Sequence, residues 1–149
     1  MSTVDKSALV PYSAAQMFAL VDDIERYPEF LPWCGGASVD RRDDATILAT
    51  LHIDYRGIKQ SFTTENSGEK NAVIHMRLVD GPFSRLDGLW RFQALSASAC
   101  KVTLTLDYGF ANALLETAFG PVFGVIANTM IERFIARSEA LHGAHGLER

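Results

Sequence analysis

Few side chains in this sequence have the types and spacing that catalysis requires. A catalytic site needs a nucleophile, an acid or base, or metal ligands that converge where water is excluded. Asp80 is the one carboxylate in phase with an apolar run, because it follows Leu78 at strand spacing, and it has no partner base. Its position before Gly81-Pro82 favours a turn-stabilising role for this side chain. We therefore do not expect an enzyme.

The histidines show no spacing that is typical of a metal site. His142 and His145 are three residues apart, but both lie in the glycine-rich tail His142–Arg149, which we expect to be frayed. His52 and His75 alternate away from the apolar positions of predicted strands, so we expect both side chains to face solvent. We predict no metal and no required cofactor.

The composition predicts one cytoplasmic domain and disfavours several classes of protein. Of the 149 residues, 48% are hydrophobic and 21% are charged, which is typical of a globular domain. A net charge of −4 lacks the basic field of a DNA-binding protein, and no leader for export is visible in the sequence. Cys34 and Cys100 fall in no CxxC or Cys/His pattern, as expected of reduced thiols.

The N-terminal part of the chain predicts a strand followed by two helical segments. Val4–Val10 is rich in β-branched residues and is closed by Pro11, which is typical of a strand. Ser13 and Gln16 have the spacing of a capping box, which predicts a helix start. A short second turn leads into Tyr27–Trp33, an aromatic connector that its prolines make stiff.

The middle of the chain predicts an antiparallel sheet. Between Ala37 and Phe110 the apolar residues recur with a period of two, as they do in strands with one buried face. The connections are short and carry turn residues, for example Arg56-Gly57 and Ser67-Gly68, so neighbouring strands are expected to run antiparallel. With the first strand, the count is about seven.

The last element, from about Ala111 to Leu141, predicts a long helix. Its apolar residues cover so wide an arc that we expect burial on several sides, and a sheet that curls around the helix. Five polar residues and the Gly120-Pro121 pair interrupt the run Ala111–Met130, which disfavours a membrane span. Pro121 predicts a kink or restart, and the glycines beside it either allow close packing on a strand or leave room for a ligand.

Two strings of residues carry a family resemblance that extends from Ser7 to about His142. They are Tyr27–Cys34 (YPEFLPWC) and Leu78–Phe92 (LVDGPFSRLDGLWRF). The chain resembles the coenzyme Q-binding and RatA-type branch of the START-like superfamily, and the polyketide cyclase/dehydrase group within it. The resemblance implies an α+β helix-grip fold, also called Bet v-like, in strand–helix–helix–six strands–helix order. We expect one domain over residues 1–149 with its core at about 4–142.

The resemblance implies an apolar tunnel between the helix and the sheet. In the function that we favour at this stage, the tunnel holds ubiquinone or a similar isoprenoid lipid and supports cellular respiration. We expect a void beside Phe119 and Phe123, and an entrance between Tyr27–Trp33 and the Gly81-Pro82-Phe83 loop. The residues expected to line the cavity and its entrance are Tyr27, Phe30, Trp33, Phe83, Trp90, Phe92, Leu115, Phe119, Val122, Phe123, Ile126 and Met130.

The resemblance also implies an alternative function, that of a toxin associated with ribosomes. Such a protein binds the large ribosomal subunit and blocks its association with the small subunit. The candidate surface consists of scattered basic residues: Arg41, Arg42, Lys59, Arg133 and Arg137. A cyclase acting on a polyketide needs an acid or base inside the cavity, which only Asp80 offers, and we do not expect it. Membrane contact is expected to be peripheral at most.

Overall fold

The computed structural model describes residues 2–143, which form one sheet and two α-helices. The strands are β1 (Ser2–Val10), β2 (Cys34–Arg42), β3 (Thr46–Tyr55), β4 (Ile58–Glu69), β5 (Val73–Asp80), β6 (Phe83–Ser96) and β7 (Ala99–Phe110). The α-helices are α1 (Ala14–Asp22) and α2 (Ala113–Ser138), with a 3₁₀ segment at Ile24–Glu29 and a π-helical turn at Glu139–Gly143. The predicted helix-grip order is confirmed. The expected fraying of the tail beyond Gly143 lies outside the described residues.

The seven described strands form one antiparallel sheet in the order β1-β7-β6-β5-β4-β3-β2. From β2 to β7, strands that follow each other in the chain pair as hairpins, and β1 pairs with β7, so β1 and β2 form the two edges of the sheet. Register shifts interrupt the pairing at several points, among them Val39/Arg41, Thr63/Thr64 and Ala94/Ser96. Because an extra residue in one strand bends it and increases its twist, these irregularities curve the sheet towards α2.

The predicted start of α1 is confirmed in atomic detail. Ser13 Oγ accepts a hydrogen bond of 3.1 Å from the Gln16 backbone N–H, and Gln16 Oε1 accepts one of 2.9 Å from the Ser13 N–H. These two bonds satisfy donors that a helix start would otherwise leave free. Met17 and Val21 then point from α1 into the core.

One stripe of α2 is buried against the concave face of the sheet. Its fully buried members recur at the spacing of one helix face: Phe119, Phe123, Ile126, Ala127, Ile131, Phe134 and Ser138. The opposite face is open, since Leu114 is 78% exposed and Val125 is 50% exposed. The prediction that the helix is buried on several sides is therefore wrong, because the sheet bends over one face of α2 only.

Of the kink or restart expected at Pro121, the restart is wrong, because α2 continues through this residue, and the kink stays a prediction. The segment Ala113–Gly143 is long and apolar enough to cross a membrane by length and composition, since a window of 18 residues within it has a mean hydropathy of 1.4. This is weak evidence for a span, because its buried stripe packs on the sheet as a core helix does.

The aromatic connector fastens α1 to the C-terminal half of α2. The Tyr27 hydroxyl donates a hydrogen bond to the Val21 carbonyl at the end of α1. The Phe134 ring is met edge-on by Tyr27 at 5.4 Å, Phe30 at 5.2 Å and Trp90 at 5.3 Å between centroids. Such edge-to-face contacts add about 0.5–1.5 kcal/mol each beyond burial of area. Phe134 therefore joins connector, helix and sheet.

We predict that Tyr27→Phe lowers the free energy of unfolding by about 1 kcal/mol, because it removes the hydroxyl and leaves the buried Val21 carbonyl without this donor. Urea denaturation followed by circular dichroism measures the change. Tyr55→Phe is the matched control, since Tyr55 is half-buried at the end of β3. Equal free energies for both variants would contradict this role of the Tyr27 hydroxyl.

Candidate functional site

An interior cavity lies between the sheet and the C-terminal half of α2. Its free volume is about 60 Å³. The walls are mainly apolar, with Leu51 and Phe62 from the sheet, Trp90 from β6, and Met130 and Phe134 from α2. This cavity does not lie beside Phe119 and Phe123, where a void was expected. It lies beside Met130, which is two turns further along the helix than Phe123.

Two polar residues of β4 interrupt the apolar wall of this cavity. Thr64 and Asn66 are each 7% exposed, and the Thr64 hydroxyl donates a hydrogen bond of 2.8 Å to Asn66 Oδ1. Phe62, Thr64 and Asn66 occupy alternate positions, so the pleat of β4 turns all three inward. Our prediction of site residues missed this pair because it followed apolar residues only. The period of two from Phe62 was the signal available in the sequence.

A surface pocket of about 250 Å³ opens next to the cavity. It lies between α1, which contributes Phe18 and Asp22, and the turns that join β2 to β3 and β4 to β5. An ion pair of 3.3 Å between Arg42 and Asp22 crosses its rim. Asn66 lines both this pocket and the cavity. The opening therefore differs from the predicted entrance between Tyr27–Trp33 and the Gly81–Phe83 loop.

Of the predicted cavity residues, Tyr27, Trp90 and Met130 line the interior cavity. Burial raises the pKa of the Tyr27 hydroxyl far above its ordinary value, and the negative charge of Asp22 adds to this effect. The Tyr27 side chain therefore contributes an uncharged phenol to the cavity wall. Phe30 packs on Phe134 and lies under the Arg137 guanidinium, 5.0 Å from its ring.

A dense aromatic cluster takes up another group of the predicted residues. Phe83 lies 4.9 Å from Phe123 and 5.9 Å from Phe119 between ring centroids. Phe62 and Phe110 also pack on Phe83, at 5.6 Å and 5.5 Å. These rings fill the space under the N-terminal half of α2, where the sequence predicted a void.

The remaining predicted residues lie around these two regions. Phe92 is buried and stacks on Trp90 at 6.1 Å, and Ile126 is buried in the stripe of α2. Leu115 and Val122 are half-buried at the edge of the stripe. Trp33 is buried, and its Nε1 is the one enclosed side-chain nitrogen or oxygen without a hydrogen-bond partner in residues 2–143. The structure thus brings three of the predicted residues together around the cavity.

The two glycines of the second sequence string have distinct structural roles. Gly81 has a φ of +153°, and a Cβ there would lie 2.6 Å from the Phe62 Cβ. A Cβ on Gly88 would lie 2.5 Å from the Met76 Cε and 3.1 Å from a Leu106 methyl. Met76 and Leu106 both line the cavity. The absence of a side chain at Gly88 therefore leaves room beside the cavity for the end of the Met76 side chain.

A second open groove, of about 420 Å³, lies beside Gly120 and Pro121. Phe110 and Tyr108 of β7 form its base, and Glu116 lies at its edge. A Cβ on Gly120 would make only an ordinary contact of 3.6 Å with the Phe110 ring, and Gly124 has no such neighbour. These glycines are therefore not required by close packing, which leaves the alternative that they provide open space.

The titratable side chains do not converge on the cavity. In the described part of the chain, no group of three or more His, Cys, Asp or Glu side chains could hold a metal ion. His52 bonds Ser61 at 2.6 Å and His75 bonds Asp87 at 2.9 Å, both on the outer face of the sheet. Burial raises the pKa of the Cys34 and Cys100 thiols, which disfavours the nucleophilic thiolate.

The basic residues predicted as a docking surface do not form one patch. Arg41 lies 3.5 Å from Glu65, Arg42 pairs with Asp22, and Arg137 lies 2.6 Å from Glu29. The other two candidates are exposed on opposite sides of the molecule, Lys59 on the outer face of β4 and Arg133 on α2. Local carboxylates therefore offset three of the five positive charges.

Arg91 and Lys101 form a basic pair that the sequence analysis missed. Both are exposed on the outer face of the sheet, and within residues 2–143 neither takes part in a salt bridge. Arg91 lies opposite Thr103 and Gln93 opposite Lys101, so the two cations are diagonal neighbours on β6 and β7. Their alternation with buried Phe92 and Val102 was the signal that could have identified them.

Comparison with known proteins supplies the family. A family profile described as polyketide cyclase / dehydrase and lipid transport matches residues 10–135. The ribosome association toxin RatA of Pseudomonas aeruginosa is 43% identical over 96% of this chain and 100% of its own length. The mitochondrial coenzyme Q-binding protein coq10 of Schizosaccharomyces pombe is 26% identical over 91% of this chain and 86% of its own.

Solved structures agree with this relationship. The 18 kDa protein CC1736 from Caulobacter crescentus is 32% identical with a TM-score of 0.73, covering 96% of this chain and 99% of its own. The Zhui aromatase/cyclase from Streptomyces has a TM-score of 0.68 at 21% identity, covering 75% of this chain and 70% of its own, and shows the shared fold alone. The resemblance seen in the sequence is confirmed: this chain belongs to the polyketide cyclase / dehydrase and lipid transport family of START-like proteins.

Proposed function

We propose that this protein associates with the ribosome in the cytoplasm, binds the large subunit and blocks its joining to the small subunit. The observation that carries the proposal is the full-length match to relatives that are named ribosome association toxins. It reverses the order of preference from the sequence, which placed quinone binding first. Several of these relatives are more than 40% identical, whereas the coenzyme Q-binding relative is far more distant.

The interior of the protein supports this order. Ligand pockets for small molecules usually have volumes of about 300–1,000 Å³, and the enclosed cavity of about 60 Å³ is much smaller. Blocking an interface between two large particles needs an occupied surface and no chemical step. Asp80 is exposed at the end of β5, and the relatives are named as toxins or as a binding protein, which supports a non-catalytic role.

The outer face of β6 and β7 is the surface that we propose for contact with ribosomal RNA. Arg91 and Lys101 can each approach a phosphate, and contacts of this kind position a protein on nucleic acid without reading its sequence. Leu9 lies opposite Lys101 in the sheet and is 72% exposed, and Leu95 nearby is 53% exposed. A net charge of −4 means that binding to RNA depends on such a local patch.

We predict that the wild-type protein lowers the ratio of joined to free subunits in sucrose gradients of cell extracts. The double variant Arg91→Glu/Lys101→Glu should lose most of this effect, because it replaces two phosphate contacts with repulsion. For binding of the double variant to the large subunit between 50 and 200 mM salt, the slope of log affinity against log salt should be smaller in magnitude than the wild-type slope by about 2.

Lys59→Glu/Arg133→Glu is the matched control, since it makes the same change in net charge on other surfaces. It should keep the wild-type effect on subunit joining. Equal losses in the two double variants would show that net charge, and not this patch, governs binding. An unchanged subunit ratio with the wild-type protein would contradict the proposed function itself.

Binding of an apolar small molecule is the second candidate function, and the composition of the cavity wall is the observation that favours it. Met76 and Met130 both line the cavity, and methionine side chains adjust easily to a neighbour because they are unbranched. The cavity can therefore widen at modest cost. Ubiquinone or another isoprenoid lipid is the ligand class that this candidate proposes.

We predict that Gly88→Ala weakens binding of ubiquinone with a single isoprene unit by roughly threefold to tenfold. The new methyl group would displace the Met76 terminus towards the cavity and take up part of its volume, and each buried methyl-sized group is worth about 0.8 kcal/mol. Equilibrium dialysis measures the affinity. Gly124→Ala is the control, because a Cβ there meets nothing within 4 Å. Unchanged affinity in Gly88→Ala would place the ligand outside this cavity.

A further inference from the structure

The floors of the interior cavity and of the surface pocket are formed by the same neighbouring strands, β3, β4 and β5. The inward-facing residues of β3 run from Ile47 in the surface pocket to Ala49 and Leu51 in the cavity. On β4, Asn66 pairs with Ile47 and Thr64 pairs with Ala49, so the same path runs along the neighbouring strand. The surface pocket, called the outer pocket below, thus lies next to the cavity, with Asn66 between the two.

A third strand completes this path. Met76 of β5 lies opposite Asn66 in the sheet and lines the cavity. Ile74, the previous inward-facing residue of β5, lines the surface pocket. Phe18 of α1 lies over the path at its outer end and packs edge-on against Phe92 at 5.6 Å. A molecule entering here therefore passes between α1 and three adjacent strands, with apolar side chains on both sides.

Asn66 has hydrogen-bonding capacity that its protein neighbours do not use. Its Oδ1 accepts the bond from Thr64, which leaves the amide nitrogen with two N–H donors. No hydrogen bond from this nitrogen is present in the described part of the chain. Trp33 Nε1 is the one fully enclosed side-chain nitrogen or oxygen of residues 2–143 that lacks a partner. The Asn66 nitrogen is therefore not fully enclosed, and Asn66 lines both the cavity and the outer pocket.

The outer pocket does not select for charge of either sign. Its cations are Arg42 and Lys70, and its acids are Asp22, Asp43 and Asp44. The Arg42 guanidinium is already paired with Asp22. Backbone N–H groups of Thr46 and Ala45 bond the Asp43 carboxylate and lower its pKa, so that residue keeps its negative charge. The nearly balanced charges give an ionic ligand of either sign little net attraction, whereas a neutral acceptor could use the Asn66 donors.

We propose that Asn66 is the polar anchor for a neutral amphipathic ligand with a carbonyl oxygen, which enters between α1 and strands β3–β5. The carbonyl oxygen accepts a hydrogen bond from the Asn66 amide nitrogen, and the apolar body of the ligand lies along Ala49, Leu51 and Met76. The Thr64 hydroxyl bonds Asn66 Oδ1 and so fixes the orientation of the Asn66 amide, with the amide nitrogen on the side away from Thr64. This inference rests on the second candidate function, apolar ligand binding.

The cavity and the neighbouring outer pocket together have a size that fits such a ligand. The cavity alone, at about 60 Å³, has room for about two water molecules. The outer pocket has about 250 Å³, so a ligand that displaced the Asn66 side chain slightly and occupied both spaces would have room near the lower end of the range that ligand pockets usually span, about 300–1,000 Å³. A bicyclic aromatic ketone is a probe of suitable size.

The test compares two probes of nearly equal shape, 2-acetonaphthone and 2-ethylnaphthalene, which differ in one carbonyl oxygen. Equilibrium dialysis of the full chain gives the affinity for each. Asn66→Leu should weaken binding of the ketone by roughly threefold to tenfold, the usual net effect of one neutral hydrogen bond. Binding of the hydrocarbon should be unchanged or tighter, because leucine has a similar size and adds apolar surface.

Two further variants keep the test decisive. Thr64→Val removes the hydroxyl that orients Asn66 and should weaken ketone binding alone, which serves if Asn66→Leu does not fold. Asn128→Leu is the matched control on the exposed face of α2 and should leave both affinities unchanged. Equal losses for both probes in Asn66→Leu or Thr64→Val would overturn the anchor while leaving apolar binding in place. Failure of the wild-type protein to bind either probe would overturn both.

Discussion

The contact between one stripe of α2 and the concave face of the sheet is the constraint on which the rest of the structure depends. Phe119, Phe123, Ile126 and Phe134 of this stripe are each at most 3% exposed. Fully burying one such side chain contributes about 1.5–3 kcal/mol, so these few residues account for a large part of a domain's net stability. The sheet must curve to cover them, and the register shifts along its strands permit that curvature.

This contact divides the interior into two regions with different properties. Under the first half of α2 the rings of Phe83, Phe110, Phe119 and Phe123 interlock and leave little freedom. Under the second half the wall includes Met76, Met130 and the Thr64–Asn66 pair, and a small cavity remains. Tight packing stabilises the fold under the first half of α2. Under the second half, the flexible and polar side chains surround the space in which we propose that a ligand binds. The outer face of the sheet lies on the side away from both regions, and we propose it as the surface that binds a large partner.

Much of the fold was predictable because local signals agree with the tertiary structure. The Ser13–Gln16 capping box marks the start of α1, and the period of two between Ala37 and Phe110 marks the strands. The width of the buried arc on α2 was not predictable, because the sequence alone does not distinguish exposed apolar residues such as Leu114 and Val125 from buried ones. Only the actual curvature of the sheet decides which face is covered.

The candidate sites were less predictable than the fold, because they depend on contacts between distant residues. Tyr27, Trp90 and Met130 were identified by their apolar character, whereas Asn66 became a candidate only when three strands placed it between cavity and surface. The pairing of Arg137 with Glu29 joins residues more than a hundred positions apart, and it removes a cation from the predicted docking surface. Within residues 2–143 neither Arg91 nor Lys101 forms a salt bridge, and this could not be read from their order in the chain.

Direct sedimentation of purified components is the closest test of the proposed association with the large ribosomal subunit. The purified protein is mixed separately with isolated large and small subunits and pelleted through sucrose at low salt. We expect the protein to pellet with the large subunit in a saturable manner, at about one copy per particle. Recovery with the small subunit alone, or no recovery with either, would contradict it.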